Sequence, residues 1–563
     1  MRSNTLINIL SAAAAVVASS DQHPLTSPSA SSFTCDLPPP ISPSDGLPSA
    51  KELFTSEAAI LKQVSRHAAL VRVPSICYDD LGDFDTDPRW KVFYELHDVM
   101  RKTYPAVHAR SELVKVNTFG LVYTIPGSSP DLKPLLLAAH QDVVPVADAS
   151  TWTYPPFAAH FDGEWMWGRG VSDDKNSFTA LLSALETLLA NPDWVPKRTI
   201  ILASGFDEEC SGQRGAGHIA KHLEQKWGNN SMALILDEGG MGLQQLDSKT
   251  LYALPAVMEK GHVDIWLELH VTGGHSSVPF PHTGIGIVSE MVVALEAHPY
   301  SPQLTTKSPL YEHMVCQARY SPDAQPEITK LLQQGDLQAL AETLVDIDRP
   351  THYRLQTSQS VDYFQAGQKI NAMPEVVKVG VNYRVAPQNS IPEIQHNVVS
   401  YISGIAEKYG VKVVAFEGDE GYEKYAAAQK RDLAGSVGLE KGGVEVKYEV
   451  DYNGTLVLSS SQKTLVAPVS PTKGPIWDLF SGTLQSSFAF DGGKVVPVGE
   501  LMTGNTDTRH YLNLTPNVYR FVPIRNGATV NAHTIDERIQ ISAHMEILRF
   551  YYDLIRNFNA ANV

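Results

Sequence analysis

The sequence predicts an α/β fold with parallel strands, and two observations carry that prediction. Three short apolar runs each end in acids or a histidine: Pro134–Ala139 leads into His140-Gln141-Asp142, Thr199–Ala203 into Asp207-Glu208-Glu209, and Met232–Leu236 into Asp237-Glu238-Gly239-Gly240. Each reads as a strand buried on both faces. Between the first two, Asn176–Asn191 has helical period, with Phe178, Leu181, Leu182, Leu185, Leu188 and Leu189 on one stripe. Strand, helix, strand is the order of a parallel α/β sheet, in which ligands sit beyond the carboxyl ends of the strands. The polar clusters fall there.

At 563 residues the chain exceeds what one hydrophobic core serves, so two or more domains are expected. With 45 Lys+Arg against 62 Asp+Glu, the net charge of −17 argues against nucleic acid as a partner. Four cysteines are too few and too scattered for a disulfide-stapled scaffold or a Cys-x-x-Cys zinc site, so His, Asp and Glu must bind any metal. Met1 and Arg2 precede an apolar run, Leu6–Ala18, followed by Ser19 and Ser20, the pattern of a secretory signal over residues 1–20, with an uncleaved anchor as the alternative. No later stretch is apolar enough to span a membrane once that signal is removed. Residues 21–49, rich in Ser and Pro, read as a spacer. Sequons at Asn229, Asn453 and Asn513 agree with a secretory route, to the vacuolar lumen or outside the cell.

Asp142, Asp173, Asp174, Asp207, Glu208, Glu209, Asp237 and Glu238 would crowd one small volume. Carboxylates that close must protonate or share a cation. Histidine beside acids suits zinc, whereas calcium and magnesium prefer all-oxygen shells. Singly each motif has a plain explanation: about two His-x-acid triplets arise by chance at this composition, and Asp173 or Asp174 could simply cap the helix that follows. The force lies in their order along the chain.

That order is His140-x-Asp142, Gly168-Arg169-Gly170-x-x-Asp173-Asp174-Lys175, Asp207-Glu208-Glu209, Asp237-Glu238-Gly239-Gly240 and His533-Thr534-Ile535-Asp536-Glu537. It resembles the dinuclear zinc peptidases of the M20 family. The strings ending GGHSS at Ser277, GQKINAMPE from Gly367 and GNTDTRHY from Gly504 are similar to the carboxypeptidase S, or Gly-X carboxypeptidase, group within it. The resemblance spans roughly residues 50 to 555 and implies a mixed, mostly parallel catalytic sheet covered by helices, with an inserted two-layer α/β lid of the dimerisation type.

Position by position, the resemblance implies that Asp173 bridges two Zn2+ ions, for which Co2+ or Mn2+ could substitute. His140 and Asp237 complete one site, Glu209 and His533 the other. It further implies Glu208 as general base and Asp142 as the residue that orients His140. His510, in the GNTDTRHY string, is a weaker rival to His533. His275 is implied for the oxyanion and Asn371 and Arg384 for the substrate carboxylate, with Arg509 a second carboxylate candidate. The expected activity is release of C-terminal amino acids from short peptides. The alternatives are hydrolysis or synthesis of N-acyl amino acids, or a non-catalytic receptor of the same fold. A G-x-G-x-x-G fingerprint and a G-x-S-x-G elbow are both absent, which removes dinucleotide and serine-hydrolase readings.

The expected domains are a catalytic part at 50–258, the lid at 259–417 and a second catalytic part at 418–563, with homodimerisation through the lid. Alternation over Val263–Leu269, helical period over Gly284–Ala297 and near Ile391–Tyr409, and strands at Val376–Val385 and Val411–Phe416 support the lid. The segments 299–357 and 418–475 have no assigned role.

Overall fold

A computed structural model describes residues 33–432 and 451–563. The expected signal segment and the first part of the spacer lie outside these residues. The larger domain is built on an eight-stranded sheet in the order Glu112–Val116, Gly120–Ile125, Ile200–Ser204, Leu135–Ala138, Leu234–Asp237, Val518–Arg520, Ala256–Glu259 and Glu500–Met502. Its four central strands, 200–204, 135–138, 234–237 and 518–520, are mutually parallel, while antiparallel pairs occur on either side of them. Their carboxyl ends therefore open on one edge. The three apolar runs read from the sequence are three of these central strands, and each is buried along its whole length.

The predicted helix is Lys175–Leu189, and every residue of it except Thr187 is buried. The amphipathic stripe alone does not explain that. The helix packs against Ile541–Ala560 on one side and against Glu57–Val71 and Pro105–Arg110 on others, so its small residues Ser177, Ala180, Ser183 and Ala184 are covered as well. A helix apolar or small on all faces is a buried helix.

The smaller domain is a five-stranded sheet in the order Ser358–Ala366, Val376–Val385, Gly261–His270, Thr455–Thr464 and Lys412–Ala415. Gly261–His270 alternates buried and half-buried positions, as the sequence pattern requires. Val263, Ile265, Leu267 and Leu269 meet Ile287, Met291, Ile394, Val398 and Ile402 of the helices Gly284–Glu296 and Ile391–Lys408 in one core. The result is a two-layer α/β lid.

Two expected boundaries need correcting. The lid does not end at 417, because Thr455–Thr464 is inserted between two of its strands and Glu420–Asp432 packs on Ile391–Lys408. The alternating burial of Thr455–Leu458 gives way to six polar residues, Ser459–Thr464, which conceals the strand pattern. Residues 33–49 are likewise no free spacer. Cys35 is disulfide-bonded to Cys316, Ile41 N donates to Gly482 O at 2.8 Å, and the buried Arg556 guanidinium pairs with Asp45. A Pro-rich segment has few backbone donors, so side chains and one covalent bond hold it as a strap.

The segment 299–357 forms four helices, Pro309–Tyr320, Pro326–Gln334, Leu337–Val345 and Arg349–Leu355, around their own core of Leu310, Met314, Leu340, Leu344 and Leu355. They are anchored to the larger domain through Cys316 and through the buried Glu500, which meets His313 Nδ1 at 2.6 Å and Arg354 Nη1 at 3.1 Å. All four cysteines are paired, the second pair being Cys77–Cys210. Among the described residues no helix is long and apolar enough to cross a membrane.

Arg556→Ala is expected to release the strap and leave Asp45 unpaired, lowering stability by about 1–3 kcal/mol. Urea unfolding and limited proteolysis would check this, with new cleavage between residues 33 and 49.

Candidate metal centre

The carboxyl ends of the parallel strands deliver side chains to one point. His140 follows Leu135–Ala138; its Nδ1 lies 3.0 Å from the backbone carbonyl of Asp142 and 3.4 Å from Asp142 Oδ1. Donation from Nδ1 leaves Nε2 as the free lone pair, and it faces Asp173 Oδ1 at 3.1 Å and Glu238 Oε1 at 3.5 Å. The other oxygen of the same carboxylate, Asp173 Oδ2, lies 3.1 Å from His533 Nε2, which is 3.2 Å from Glu209 Oε1. One carboxylate thus presents one oxygen to each of two histidines separated by nearly four hundred residues of chain.

The structure changes one expected assignment. Glu238, and not Asp237, joins His140 and Glu208 in a group whose donor atoms all lie within 4.8 Å of one another; His140, Asp173 and Glu209 form the second such group. Strand alternation explains the exchange. Asp237 is the last residue of Leu234–Asp237, buried, with Oδ1 accepting from Glu238 N, whereas Glu238 is past the strand end and turns toward the histidine. The glycines that follow, Gly239 and Gly240, have φ of 101° and 78°, a backbone course that turns the chain sharply at this point.

The supports of these side chains were not legible as such. Glu537, fully buried, accepts from Arg169 Nη1, Gly170 N, Ser172 N and Oγ, and Asp173 N, at 2.7 to 3.3 Å. Asp536 accepts from Thr153 N and Oγ1, both at 2.7 Å. Glu537 thus clamps the loop of His533 to the loop of Asp173, and Asp536 ties it to the segment around Thr153. The signal was present in the sequence, since both directly follow the His-Thr-Ile string, but nothing in the pattern shows what they face. The Asp173–Asp174 peptide is cis. Asp142 has a second task beside orienting His140: its carboxylate accepts from Glu208 N at 3.2 Å and Glu209 N at 3.0 Å, fixing the short turn Glu208–Cys210, which the Cys77–Cys210 bond also ties down.

Charge density is the dominant electrostatic fact. Burial and the neighbouring Glu209 and Asp142 push the Glu208 carboxyl up to about 8, against the pull of His140 and Arg509. Burial and Asp173 hold Glu238 well above its usual range. Burial alone would depress the His140 imidazolium, yet Glu238, Asp142 and Asp173 outweigh it and keep the group raised. His533 is raised to about 10 by the carboxylates of Asp173 and Glu209, whose oxygens lie 3.1 and 3.2 Å from its Nε2. Such a set is stable only with protons or cations between its members. Glu209 Oε1 accepts no well-aligned hydrogen bond although His533 is near, and Asp237 Oδ2 is buried without a partner. Two imidazole nitrogens and four carboxylates converging in this way fit divalent cations of zinc type.

The arginine side of the site lies beyond Glu208. Arg509 Nη2 is 3.9 Å from Glu208 Oε1, and its Nε is buried without a partner. Arg384, on the lid strand Val376–Val385, donates to Asn505 Oδ1 at 3.0 Å, and Asn505 donates to Lys260 O at 2.7 Å. The string around Arg509 is held by Thr506 Oγ1 donating to Glu259 and by Arg520 Nε donating to Thr508 Oγ1. The lid and the larger domain therefore meet at the two arginines. His275 and Asn371 are brought to each other, on the ribbon pairing Gly274–His275 with Ala372–Met373, but not to the metal cluster. Both are exposed, His275 Nδ1 bonds Ser277 Oγ and Ser276 N bonds Asn371 O, all within the lid. His510 also stays outside the cluster: its Nε2 faces Ser211 O, and burial depresses it to about 4.

Fold and site define a metal-dependent hydrolase with an α/β lid. The profile of peptidase family M20/M25/M40 matches residues 136–557. Carboxypeptidase S of Saccharomyces cerevisiae is 35% identical over 93% of this chain and 89% of its own length. An uncharacterized carboxypeptidase of Schizosaccharomyces pombe is 37% identical over 87% of this chain and 78% of its own. The N-fatty-acyl-amino acid synthase/hydrolase of Homo sapiens is 30% identical over 82% of each chain. Human carnosine dipeptidase 1 shares the fold with a TM-score of 0.60 at 12% identity, covering 91% of this chain and 100% of its own. The chain belongs to peptidase family M20. It is a metal-dependent exopeptidase, a hydrolase acting on peptide bonds.

Two outcomes are expected. Glu537→Ala should weaken metal affinity about 10–100-fold while the fold persists, checked by titration against a competing chelator and by circular dichroism. Because His533 carries a proton at neutral pH when metal-free, binding must displace it, so affinity rises with pH. Calorimetry in buffers of differing ionisation enthalpy would detect the released proton.

Proposed function

We propose that the chain is a carboxypeptidase of the Gly-X type, releasing C-terminal amino acids from short peptides. The observation that supports this most is the Asp173 carboxylate shared between His140 and His533 beside Glu208. His140, Asp173 and Glu238 would hold one Zn2+, and Asp173, Glu209 and His533 the other. When bound, such ions acidify a shared water and polarise the scissile carbonyl.

The remaining chemistry belongs to the protein. Glu208, buried and held by the Asp142 contacts to its turn, accepts the proton of the attacking water and returns it to the departing amine. Arg509 and Arg384 receive the α-carboxylate of the leaving residue, Arg509 with an unpartnered buried Nε that a carboxylate oxygen would satisfy. The exposed ribbon bearing His275 and Asn371 is the surface through which a second copy would pair, in line with the expected homodimer. The N-acyl amino acid amide is the alternative bond, favoured by the identity to the human synthase/hydrolase.

A secretory destination, vacuolar or extracellular, is supported by the N-terminal apolar run and by two disulfides, which persist in oxidising compartments. The sequon asparagines Asn229, Asn453 and Asn513 are all exposed, as glycosylation requires.

Purified protein is expected to hold two zinc ions per chain. Glu208→Gln should retain them and lose at least a hundredfold in kcat on blocked dipeptides. Metal analysis beside steady-state kinetics tests the assignment, and unaltered turnover would remove Glu208 from its role.

A further inference from the structure

A single residue joins the strand Ala256–Glu259 of the larger domain to the lid strand Gly261–His270. That residue is Lys260, and it is fully buried. Lysine is almost never buried without partners. Here Nζ donates to Tyr353 O at 2.9 Å and to Gln356 O at 2.6 Å. Both carbonyls lie at the end of the helix Arg349–Leu355, where backbone acceptors lack an intrahelical donor and the helix dipole favours a cation. Burial and the nearby Arg384 guanidinium press the ammonium down to about 7.

Arg384 lies between two lid strands, and both lead straight back to Lys260. In the sheet register Arg384 faces His262 on one side, two residues past Lys260, and Ser358 on the other, two residues past Gln356. The bond from Lys260 Nζ to Gln356 O therefore ties together the roots of the two strands that flank Arg384. Thr357, buried between Gln356 and Ser358, adds a second tie, its Oγ1 accepting from Ala386 N at 2.9 Å. The main chain of Lys260 acts on the other end of the arginine. Its carbonyl accepts from Asn505 Nδ2 at 2.7 Å, and Asn505 Oδ1 accepts from Arg384 Nη1 at 3.0 Å. One residue thus sets both the backbone of Arg384 and its guanidinium.

The insertion 299–357 is the fixed end of this arrangement. It leaves the lid after Gly284–Glu296 and returns to it at Ser358–Ala366, yet its helices are fastened to the larger domain through Cys35–Cys316 and through Glu500 with His313 and Arg354. Arg354 belongs to the same helix whose end Lys260 caps. A lid joined to the larger domain only by its chain crossings is free to rock about them. The insertion removes that freedom on the side where Arg384 stands.

We propose that Lys260 is a positioning residue for substrate recognition: by pinning the end of the four-helix insertion to the domain crossing, it fixes Arg384 where the α-carboxylate of the leaving residue lands. The insertion is then a brace for that arginine. The inference rests on the carboxypeptidase reading above, because it takes Arg384 as a receiver of that carboxylate. Loss of the ammonium leaves two buried carbonyls unpaired and frees the strand roots beside Arg384. Glu208 and the metal-facing side chains, held by Asp142 and Glu537, stay in place.

The test is steady-state kinetics of the zinc-loaded enzyme on N-blocked glycyl-leucine, with free leucine as a competing ligand, for Lys260→Met, Lys260→Arg and Arg384→Ala. Lys260→Met is expected to raise KM about tenfold and to weaken inhibition by leucine by the same factor, with zinc retained and kcat within about threefold of wild type. Lys260→Arg keeps a cation with donors for both carbonyls and should hold KM within about threefold of wild type. In the Arg384→Ala background, Lys260→Met should change KM by less than about twofold, because the residue it acts through is gone. An unchanged KM in Lys260→Met, an equal rise in both backgrounds, or a loss confined to kcat would overturn the positioning role while leaving the carboxypeptidase standing. Should Lys260→Met fail to fold, Thr357→Val loosens the same strand root without touching the buried charge, and the proposal requires the same rise in KM and the same dependence on Arg384. Wild-type KM and leucine inhibition in Arg384→Ala would instead overturn the carboxylate assignment of that arginine, and this inference with it.

Discussion

Mutual repulsion of buried carboxylates is the constraint on which the rest of the structure depends. Asp173, Glu208, Glu209 and Glu238 are drawn into one pocket with His140 and His533, and the metal-free protein can keep them there only by protonating carboxyls that would otherwise be charged. A pair of divalent cations relieves that repulsion without protons. The same need explains why so much of the surrounding structure consists of supports. Glu537 gathers five donors from the Asp173 loop, Asp536 ties down the His533 loop, and Asp142 holds both His140 and the turn of Glu208 and Glu209. Geometry this costly to assemble has to be over-determined by its neighbours.

The parallel sheet makes the assembly possible. Strands running in one direction place their carboxyl ends side by side, so residues far apart in sequence arrive within a few ångströms of each other. His533 reaches the site by a different route, from the loop joining the short strands Thr529–Val530 and Arg538–Gln540, which is why it needs two acids to dock it. The lid then adds Arg384 over the same edge, its position fixed through Asn505 and Lys260 at the crossing between domains.

Much of this was legible in the sequence, and the failures have physical causes. Apolar runs with no polar interruption identified three of the four central strands, and the alternation of Val263–Leu269 identified the lid sheet. Val518–Arg520 was missed because three residues ending in an arginine show no apolar run; Arg520 is buried only because Glu259 and Thr508 receive it. Thr455–Thr464 was missed because its last six residues are all polar. The exchange of Asp237 for Glu238 reflects a difference of one residue in where a strand ends, which no pattern of residue types resolves. His275 and Asn371 were placed by resemblance alone, and within one chain their ribbon stays apart from the metal cluster.

Anomalous diffraction at the zinc edge tests the central claim most directly. Two peaks are expected flanking the Asp173 carboxylate, one bounded by His140 and Glu238 and the other by Glu209 and His533. A single peak, or scattering away from Asp173, would contradict it.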